Sequence, residues 1–209
     1  MKSLIGKIHG AGHYNHRAQV LAKHLAETIP HGSAILDVGC GDGTLSTLLL
    51  ALRPDLTITG IDVYVRPTLK IPVHEFDGLH IPFNNDSFDY ALFVDVLHHT
   101  QQPVELMREA VRVSRQGLII KDHLVKGFLA RPALRLMDWV GNAPYGIVLP
   151  YNYLTPKQWD DAFTTLGLER ASYSESLNIY PFPLNVAFDR SLHFVTRLQK
   201  RATQMAKAA

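Results

Sequence analysis

The sequence predicts a doubly wound α/β domain built on a mostly parallel sheet. Short apolar, β-branched runs alternate with helical patterns, and no hairpin turn joins neighbouring runs until the end of the chain. Runs with apolar residues on both faces are typical of parallel strands that helices cover on both sides. Five such runs occupy residues 34–38, 57–61, 73–76, 90–94 and 118–120.

Helical spacing fills the gaps between these runs. A cover helix is predicted over residues 14–30, where apolar side chains recur every three or four positions until Pro30. Further helices are predicted over residues 44–52, 103–113 and 124–140, and one begins at the N-cap Thr155. Residues 171–176 and 192–198 alternate like antiparallel edge strands, which brings the predicted sheet to seven strands.

Composition narrows the class of protein. The 209 residues, 46% hydrophobic and 19% charged, suit one domain over residues 1–209. With 21 basic and 19 acidic residues the formal charge is +2, which gives no electrostatic case for a nucleic-acid partner. The single cysteine, Cys40, leaves no internal disulfide and no Cys-rich zinc site. No carboxylate or cysteine of suitable spacing accompanies His9, His13 and His16, so we expect no metal.

The chain also lacks obvious membrane signals. Its first residues have no apolar signal-peptide core, and no stretch holds the roughly 18 uninterrupted apolar residues of a membrane span. We therefore expect a cytoplasmic monomer or homodimer without stable membrane insertion.

The stretch "ILDVGCGDGTLS", residues 35–46, marks a ligand site. A strand, a turn with three glycines and a helix follow one another here, an arrangement in which the backbone approaches a ligand closely. Asp62 ends the next strand about 20 residues later, where a carboxylate can accept hydrogen bonds from both hydroxyls of a ribose. The pair of features predicts a bound nucleoside.

The charges around this loop favour a cationic nucleoside. The spacing of Gly39, Gly41 and Gly43 is not that of the dinucleotide fingerprint, which argues against a nicotinamide-dependent oxidoreductase. Asp37 and Asp42 would repel a pyrophosphate but attract an ammonium group. S-adenosylmethionine carries both an ammonium and a sulfonium, so it is the predicted cofactor.

Four motifs in order strengthen this prediction. "ILDVGCGDG", "GIDV", "FDGLHIPFNNDSFDYALFVDVLHH" and "EAVRVSRQGLII" resemble the class I S-adenosylmethionine-dependent methyltransferases, in particular the type 11 group, over residues 34–123. The resemblance implies the Rossmann-like methyltransferase fold and a set of cofactor-binding residues. These are Asp37, Gly39, Cys40, Gly41, Asp42 and Gly43 for the methionine part, Asp62 and Val63 for the ribose and adenine, Asp77 and Gly78 for the adenine amino group, and Asp95, Val96 and Leu97 for the reactive side.

The polar residues that end the fourth and fifth strands are candidates for chemistry on the substrate. Histidine has a pKa suited to removing a proton from a methyl acceptor, and His99 and His123 are the candidate bases. Asp122 is the third catalytic candidate; it could orient a histidine, bind a substrate amine or cap a helix. His98 is expected to serve the turn after the fourth strand, and His99 could do the same. His123 could instead hydrogen-bond the backbone, and Lys121 is expected to be a solvated edge residue. The ending "IIKDH" departs from the commoner fifth-strand ending of the family, which leaves this chemistry open.

An aromatic insertion, residues 124–155, is the predicted substrate-side lid. Any single aromatic ring here is better explained as core, but together the rings, with their polar tips, suit the wall of a pocket for a small organic molecule with an apolar or aromatic body. Including an N-terminal flap, the candidate substrate-binding residues are Tyr14, Arg17, Trp139, Asn142, Tyr145, Tyr151, Asn152 and Tyr153.

Two other functions stay open at this point. The chain could keep the cofactor pocket without chemistry and bind a protein partner through the insertion. Apolar and basic residues around Phe128 could instead dock on a membrane surface and reach a lipid-like acceptor.

Overall fold

The computed structural model describes residues 16–142, 150–175, 177–180, 185 and 192–201, and gives only the backbone for residues 138–142. The helices and strands in chain order are α1 (16–28), β1 (Ala34–Val38), α2 (Thr44–Leu52), β2 (Thr57–Asp62), β3 (Val73–Glu75), β4 (Phe88–Val94), α3 (Pro103–Val113), β5 (Ser114–His123), α4 (Ala130–Asn142), α5 (Pro156–Thr165), β6 (Leu168–Ser174) and β7 (His193–Lys200). A short 3-10 turn, Leu97–His99, follows β4.

The strands form one sheet in the order β3-β2-β1-β4-β5-β7-β6. Strands β1 to β5 pair in parallel, whereas β7 pairs antiparallel with both β5 and β6. The predicted fold class is confirmed: a seven-stranded, mostly parallel α/β sheet with an antiparallel edge. Strand β1 lies between β2 and β4, so the chain reverses direction across the sheet at this point, where ligands of doubly wound folds bind.

Helices cover both faces of the sheet. On one face, Leu25 of α1 and Leu49 of α2 are fully buried against Ile35 and Leu92 of the strands. On the other face, apolar residues of α3 and α5 pack against the sheet, Met107 and Trp159 among them. Because apolar side chains leave water on both faces, β1, β4 and β5 each carry a buried apolar run, at residues 35–36, 90–93 and 118–120, as the sequence pattern required.

The start of α5 follows its predicted signal. The Thr155 hydroxyl accepts the backbone N–H of Gln158, and the Gln158 side chain accepts the backbone N–H of Thr155, which forms a capping box. Pro156 occupies the first helical position and Gly167, with φ 67°, follows the end of the helix.

Helix α4 begins later than predicted, at residue 130 instead of 124. The backbone N–H groups of Leu124 and Val125 donate to Leu192 and Leu154, so this stretch is held in extended pairing with distant segments. Gly127, with φ 93°, then breaks the helical path. Among the residues that the structure describes, no helix is both long and apolar enough to cross a membrane.

Candidate active site

Four parallel strands bring the candidate residues together at the carboxyl-terminal end of the sheet. Strands β1, β2, β4 and β5 end in the same direction, so the segments that follow them meet at their carboxyl ends. The glycine loop follows β1, Asp62 ends β2, Asp95 follows β4, and His123 ends β5. Residues from positions 39 to 123 of the chain therefore lie at one end of the sheet.

The glycine loop requires its glycines for two reasons. Gly39 and Gly43 have φ values of 75° and 79°, in the left-handed region that side chains disfavour. A Cβ at Gly39 would lie 2.6 Å from the Val96 side chain, and one at Gly43 would lie 2.5 Å from the Ile71 side chain. The loop is thus packed closely between the segments that follow β2 and β4.

Asp62 is joined directly to this loop. One carboxylate oxygen accepts the backbone N–H of Gly41 at 2.8 Å, and the other accepts that of Tyr64 at 3.1 Å. The ends of β1 and β2 are therefore held in a fixed relation, with a carboxylate between them.

The two acidic residues of the loop differ in environment. The Asp37 carboxylate is buried and accepts a hydrogen bond from the Ser46 hydroxyl of α2. Burial raises the pKa of Asp37 to about 6, although the Ser46 hydroxyl lowers it. Asp42 accepts the backbone N–H of Thr44 and lies 3.6 Å from the Lys70 ammonium. Asp42 is therefore already partly neutralised, and Asp37 is the acidic group whose charge a ligand would change most.

Cys40 has a packing role in the glycine loop. Its sulfur packs against Gly60, where a Cβ would lie only 2.4 Å away. Burial, and then the charge of Asp37, raise the pKa of the thiol to about 12. The thiol is therefore a small packing group and not a nucleophile.

The residues predicted to contact the adenine lie beyond the carboxyl ends of β2 and β3. Val63 is 58% exposed, and its side chain lies 3.2 Å from where a Gly78 Cβ would be. Asp77 accepts the backbone N–H groups of Leu79 and His80 with one oxygen and pairs with the His80 ring through the other. Val63 and Gly78 thus lie together, whereas Asp77 chiefly shapes its own turn.

Asp95 connects three elements. Its carboxylate pairs with Arg17 of α1 and with Lys121 of β5, and its backbone has φ 57°. Burial alone would raise the pKa of Asp95, but the charges of Lys121 and Arg17 hold that pKa well below its usual range. Arg17 therefore lies at the carboxyl-terminal end of the sheet, where it contacts Asp95, a residue expected to line the cofactor site.

Lys121 is not the solvated edge residue that the sequence suggested. Its side chain is fully buried, because β5 continues to His123 and β7 covers that part of the strand. Its ammonium donates to the Asp95 carboxylate and also lies 3.4 Å from His193 Nδ1 of β7. Burial lowers the pKa of Lys121, whereas Asp95 raises it.

A compact histidine cluster lies next to this pair. Asp122 and His98 are fully desolvated, and His98 Nδ1 lies 2.6 Å from Asp122 Oδ1. His123 is 3% exposed, with Nδ1 3.2 Å from His98 Nδ1, and burial lowers its pKa. His99 is only half-buried, its ring 4.0 Å from that of His98. Of the roles considered for Asp122, orienting a histidine matches these contacts, with His98 as the histidine.

Part of the insertion reaches this cluster. Asn152 donates from its backbone to the His98 carbonyl and from its side chain to the Thr100 carbonyl. The Tyr153 ring stacks on His98 with 5.6 Å between ring centroids, and Tyr151 is half-buried beside it. The candidate substrate residues Tyr14, Trp139, Asn142 and Tyr145 lie outside the described residues or side chains.

Sequence reasoning missed Ser46 and His193 as parts of the site. Ser46 follows the glycine loop by one helical turn, and its side chain faces back to Asp37. The signal for it was a lone serine, between Thr44 and Thr47, at the start of a helix whose other residues are apolar, "TLSTLLLAL". No local pattern pointed to His193, since it joins the cluster only through the pairing of β7 with β5.

Comparison with known proteins identifies the family. A family model described as a methyltransferase domain matches residues 11–173, more than three quarters of the chain. The chain belongs to the methyltransferase domain family. This membership, with the fold, confirms the predicted class I S-adenosylmethionine-dependent methyltransferase, its enzyme class and its cofactor.

The relatives differ in what they modify. The tRNA (carboxymethyluridine(34)-5-O)-methyltransferase of Saccharomyces cerevisiae is 34% identical over 103 residues, 44% of this chain and 35% of that protein. The 27-O-demethylrifamycin SV methyltransferase of Amycolatopsis mediterranei is 29% identical over 112 residues, 46% of this chain and 41% of that protein. The chain thus spans well under half the length of either curated relative.

Solved methyltransferases share the fold more completely. A methyltransferase of Haloferax volcanii, solved in complex with the Trm112 methyltransferase activator, superposes with a TM-score of 0.66 at 16% identity, over 88% of this chain and 90% of that one. At that identity the likeness is one of fold alone.

Proposed function

We propose that this protein transfers the methyl group of S-adenosylmethionine to an oxygen atom of a small organic acceptor with an apolar or aromatic body. One observation carries the proposal: the acidic glycine loop and the half-buried His99 both lie at the carboxyl ends of the neighbouring strands β1 and β4. A cofactor held by the glycine loop would face an acceptor held beside His99.

The chemistry of the loop residues fits the cofactor. When bound, S-adenosylmethionine supplies an electrophilic methyl group on a sulfonium. The buried Asp37 carboxylate attracts a cationic ligand, and Asp62 keeps acceptor capacity for ribose hydroxyls beyond the two N–H groups it already binds. Exposed Val63 beside Gly78 offers apolar surface to the adenine. The remaining proposed cofactor contacts are Gly39, Cys40, Gly41, Asp42, Gly43, Asp77, Asp95, Val96 and Leu97.

The three proposed catalytic residues divide by burial. His99 is half-buried, so it is the group that accepts the proton of an acceptor hydroxyl as the methyl group is transferred. Asp122 and His123 are buried behind it, and they position the 3-10 turn that carries His99. A base beside the acceptor typically contributes about 10² to 10⁴ in rate.

Two features support a small acceptor with an oxygen nucleophile. The names of the yeast and Amycolatopsis relatives both specify transfer to oxygen, one on a tRNA nucleoside and the other on an antibiotic. The near-neutral charge of this chain favours the small molecule, because nucleic-acid binders depend on basic surface. Tyr151, Asn152 and Tyr153 next to the histidines are the described part of its binding wall.

A tRNA acceptor is the second candidate, because several relatives act on tRNA. Methyl transfer from labelled S-adenosylmethionine, offered separately to hydroxylated aromatic compounds, lipid-like alcohols and bulk tRNA, distinguishes the acceptors. We expect transfer to a hydroxylated small molecule, and we expect His99→Gln to lower kcat by about 10² or more without changing cofactor affinity. His74→Gln, an exposed histidine on β3, is the matched control.

Transfer to tRNA alone would replace the small-molecule assignment. Cofactor binding without transfer to any acceptor would favour the interaction-protein function.

A further inference from the structure

Four potential metal ligands converge at the ends of β4 and β5. Asp95, His98, Asp122 and His123 each offer one ligand atom, and these atoms all lie within 4.8 Å of one another. His98 Nδ1 and His123 Nδ1 lie 2.6 and 3.4 Å from the same oxygen of Asp122, and 3.2 Å from each other. Asp95 Oδ1 lies 3.7 Å from His123 Nδ1. Four potential donors from the segments at the ends of β4 and β5 therefore lie close together.

These separations match the edges of a small coordination shell. A tetrahedral zinc ion with bonds of about 2.1 Å separates its ligand atoms by roughly 3.4 Å. Three of the measured distances, 3.2, 3.4 and 3.7 Å, lie near that value. The fourth, 2.6 Å between His98 Nδ1 and Asp122 Oδ1, is that of a hydrogen bond, so a bound ion would spread these two atoms apart. Hydrogen bonds also account for part of this geometry, because one proton on His98 Nδ1 can serve both Asp122 Oδ1 and His123 Nδ1. Direct measurement of metal binding distinguishes the two arrangements.

We propose that this group binds one divalent transition-metal ion, with His98, Asp122 and His123 as its core ligands and Asp95 as the fourth. Two imidazoles with carboxylates are a ligand set that suits zinc and its neighbours in the transition series. The sequence alone predicted no metal, because His98, Asp122 and His123 come together only through the pairing of β4 with β5.

The surroundings hold these ligands in place. Asp122 accepts the backbone N–H groups of Leu97 and His123, at 3.0 and 2.7 Å. The Tyr153 ring packs against both histidine rings, and the Trp159 indole donates to the His123 carbonyl. Partners that orient the ligands in this way are a regular feature of protein metal sites.

Burial of the core ligands indicates a positioning role. The ion would tie the 3-10 turn that carries His99 to the end of β5, and so fix the candidate base relative to the cofactor edge. This role depends on the proposed function, whereas metal binding itself does not.

Lys121 competes with the ion. Its ammonium already pairs with Asp95 Oδ1, so a cation in the cluster shares that oxygen with a positive charge. Two positive centres a few ångströms apart repel strongly in a buried site. Replacing Lys121 with methionine should therefore raise metal affinity by about tenfold or more, a change that a pure hydrogen-bond network would not show.

The test is binding of Zn²⁺ and Co²⁺ to chelator-treated protein, without cofactor or acceptor. We expect one equivalent of Zn²⁺ and, with Co²⁺, the intense visible absorption of a low-coordinate site. His98→Asn and His123→Asn should each weaken binding by roughly a hundredfold or more, whereas His74→Gln should leave it unchanged. Unfolding temperature with and without Zn²⁺ gives a second readout, because an ion that binds only the folded state raises it.

Less than half an equivalent of Zn²⁺ bound by the unaltered protein would overturn the proposal. Equal binding by the unaltered protein and both cluster variants would also overturn it, since exposed histidines would then account for the ion. Neither result would affect methyl transfer, so failure of the metal site and failure of the proposed function remain separate outcomes.

Discussion

Asp37 is the residue whose ionisation we expect to link pH to cofactor binding. Burial raises the pKa of its carboxyl to about 6, and a cationic ligand binds the ionised form. The ionised fraction of such a group falls roughly tenfold from pH 7 to pH 5. We therefore expect the affinity for S-adenosylmethionine to fall by about tenfold over this range. Titrations at several pH values measure the change, and Asp37→Asn should bind weakly with most of this pH dependence removed. If the affinity of the unaltered protein for S-adenosylmethionine did not vary between pH 5 and 7, Asp37 would not be a ligand-binding residue.

Asp62 is the residue on which we expect nucleoside binding to depend most directly. It holds the backbone of Gly41 and is proposed to accept the ribose hydroxyls. Hydrogen bonds to a charged group contribute about 1.5 to 3 kcal/mol, so Asp62→Ala should weaken cofactor binding by at least about tenfold while the protein stays folded. Glu75→Gln is the matched control, because Glu75 is the register partner of Asp62 on β3 and is exposed. Equal affinities for the two variants would remove Asp62 from the site.

The glycine loop, at the scale of elements, is a joint between β1 and α2 whose packing can be measured. Alanine at Gly43 meets both a left-handed backbone and the Ile71 side chain, whereas alanine at Gly32 has φ 67° and no heavy atom within 4 Å. The backbone term costs roughly 1–2 kcal/mol, and the contact at Gly43 should add about 1–3 kcal/mol. Urea denaturation of both variants compares their free energies of unfolding. Equal losses at the two positions would show that Ile71 does not confine the loop.

The elements also show where sequence reasoning succeeds. Strand β1 and helices α2 and α3 have the bounds that the sequence predicts, because apolar periodicity, glycine and proline signals all act within a few residues. Strand β5 runs well beyond its apolar core to include Lys121, Asp122 and His123. Its polar end is buried only because β7 pairs with it and Asp95 offsets the charge of Lys121, and no local pattern reports either partner.

At the scale of the whole molecule, the candidate site follows from topology. The reversal at β1 places the glycine loop beside the end of β4, and the antiparallel return of β7 closes the histidine cluster. Arg17 joins α1 to Asp95 across the edge, so an element from the start of the chain borders the same site. The order of motifs along the chain predicts the cofactor-binding residues. The buried histidine cluster behind His99, in contrast, depends on contacts between strands that are distant in sequence.

The most direct test of the central claim is calorimetric titration of the protein with S-adenosylmethionine, run beside NAD under identical conditions. We expect micromolar binding of S-adenosylmethionine at one site and no binding of NAD. Binding of NAD, or of neither ligand, would contradict the assignment of the glycine loop and Asp62 to this cofactor.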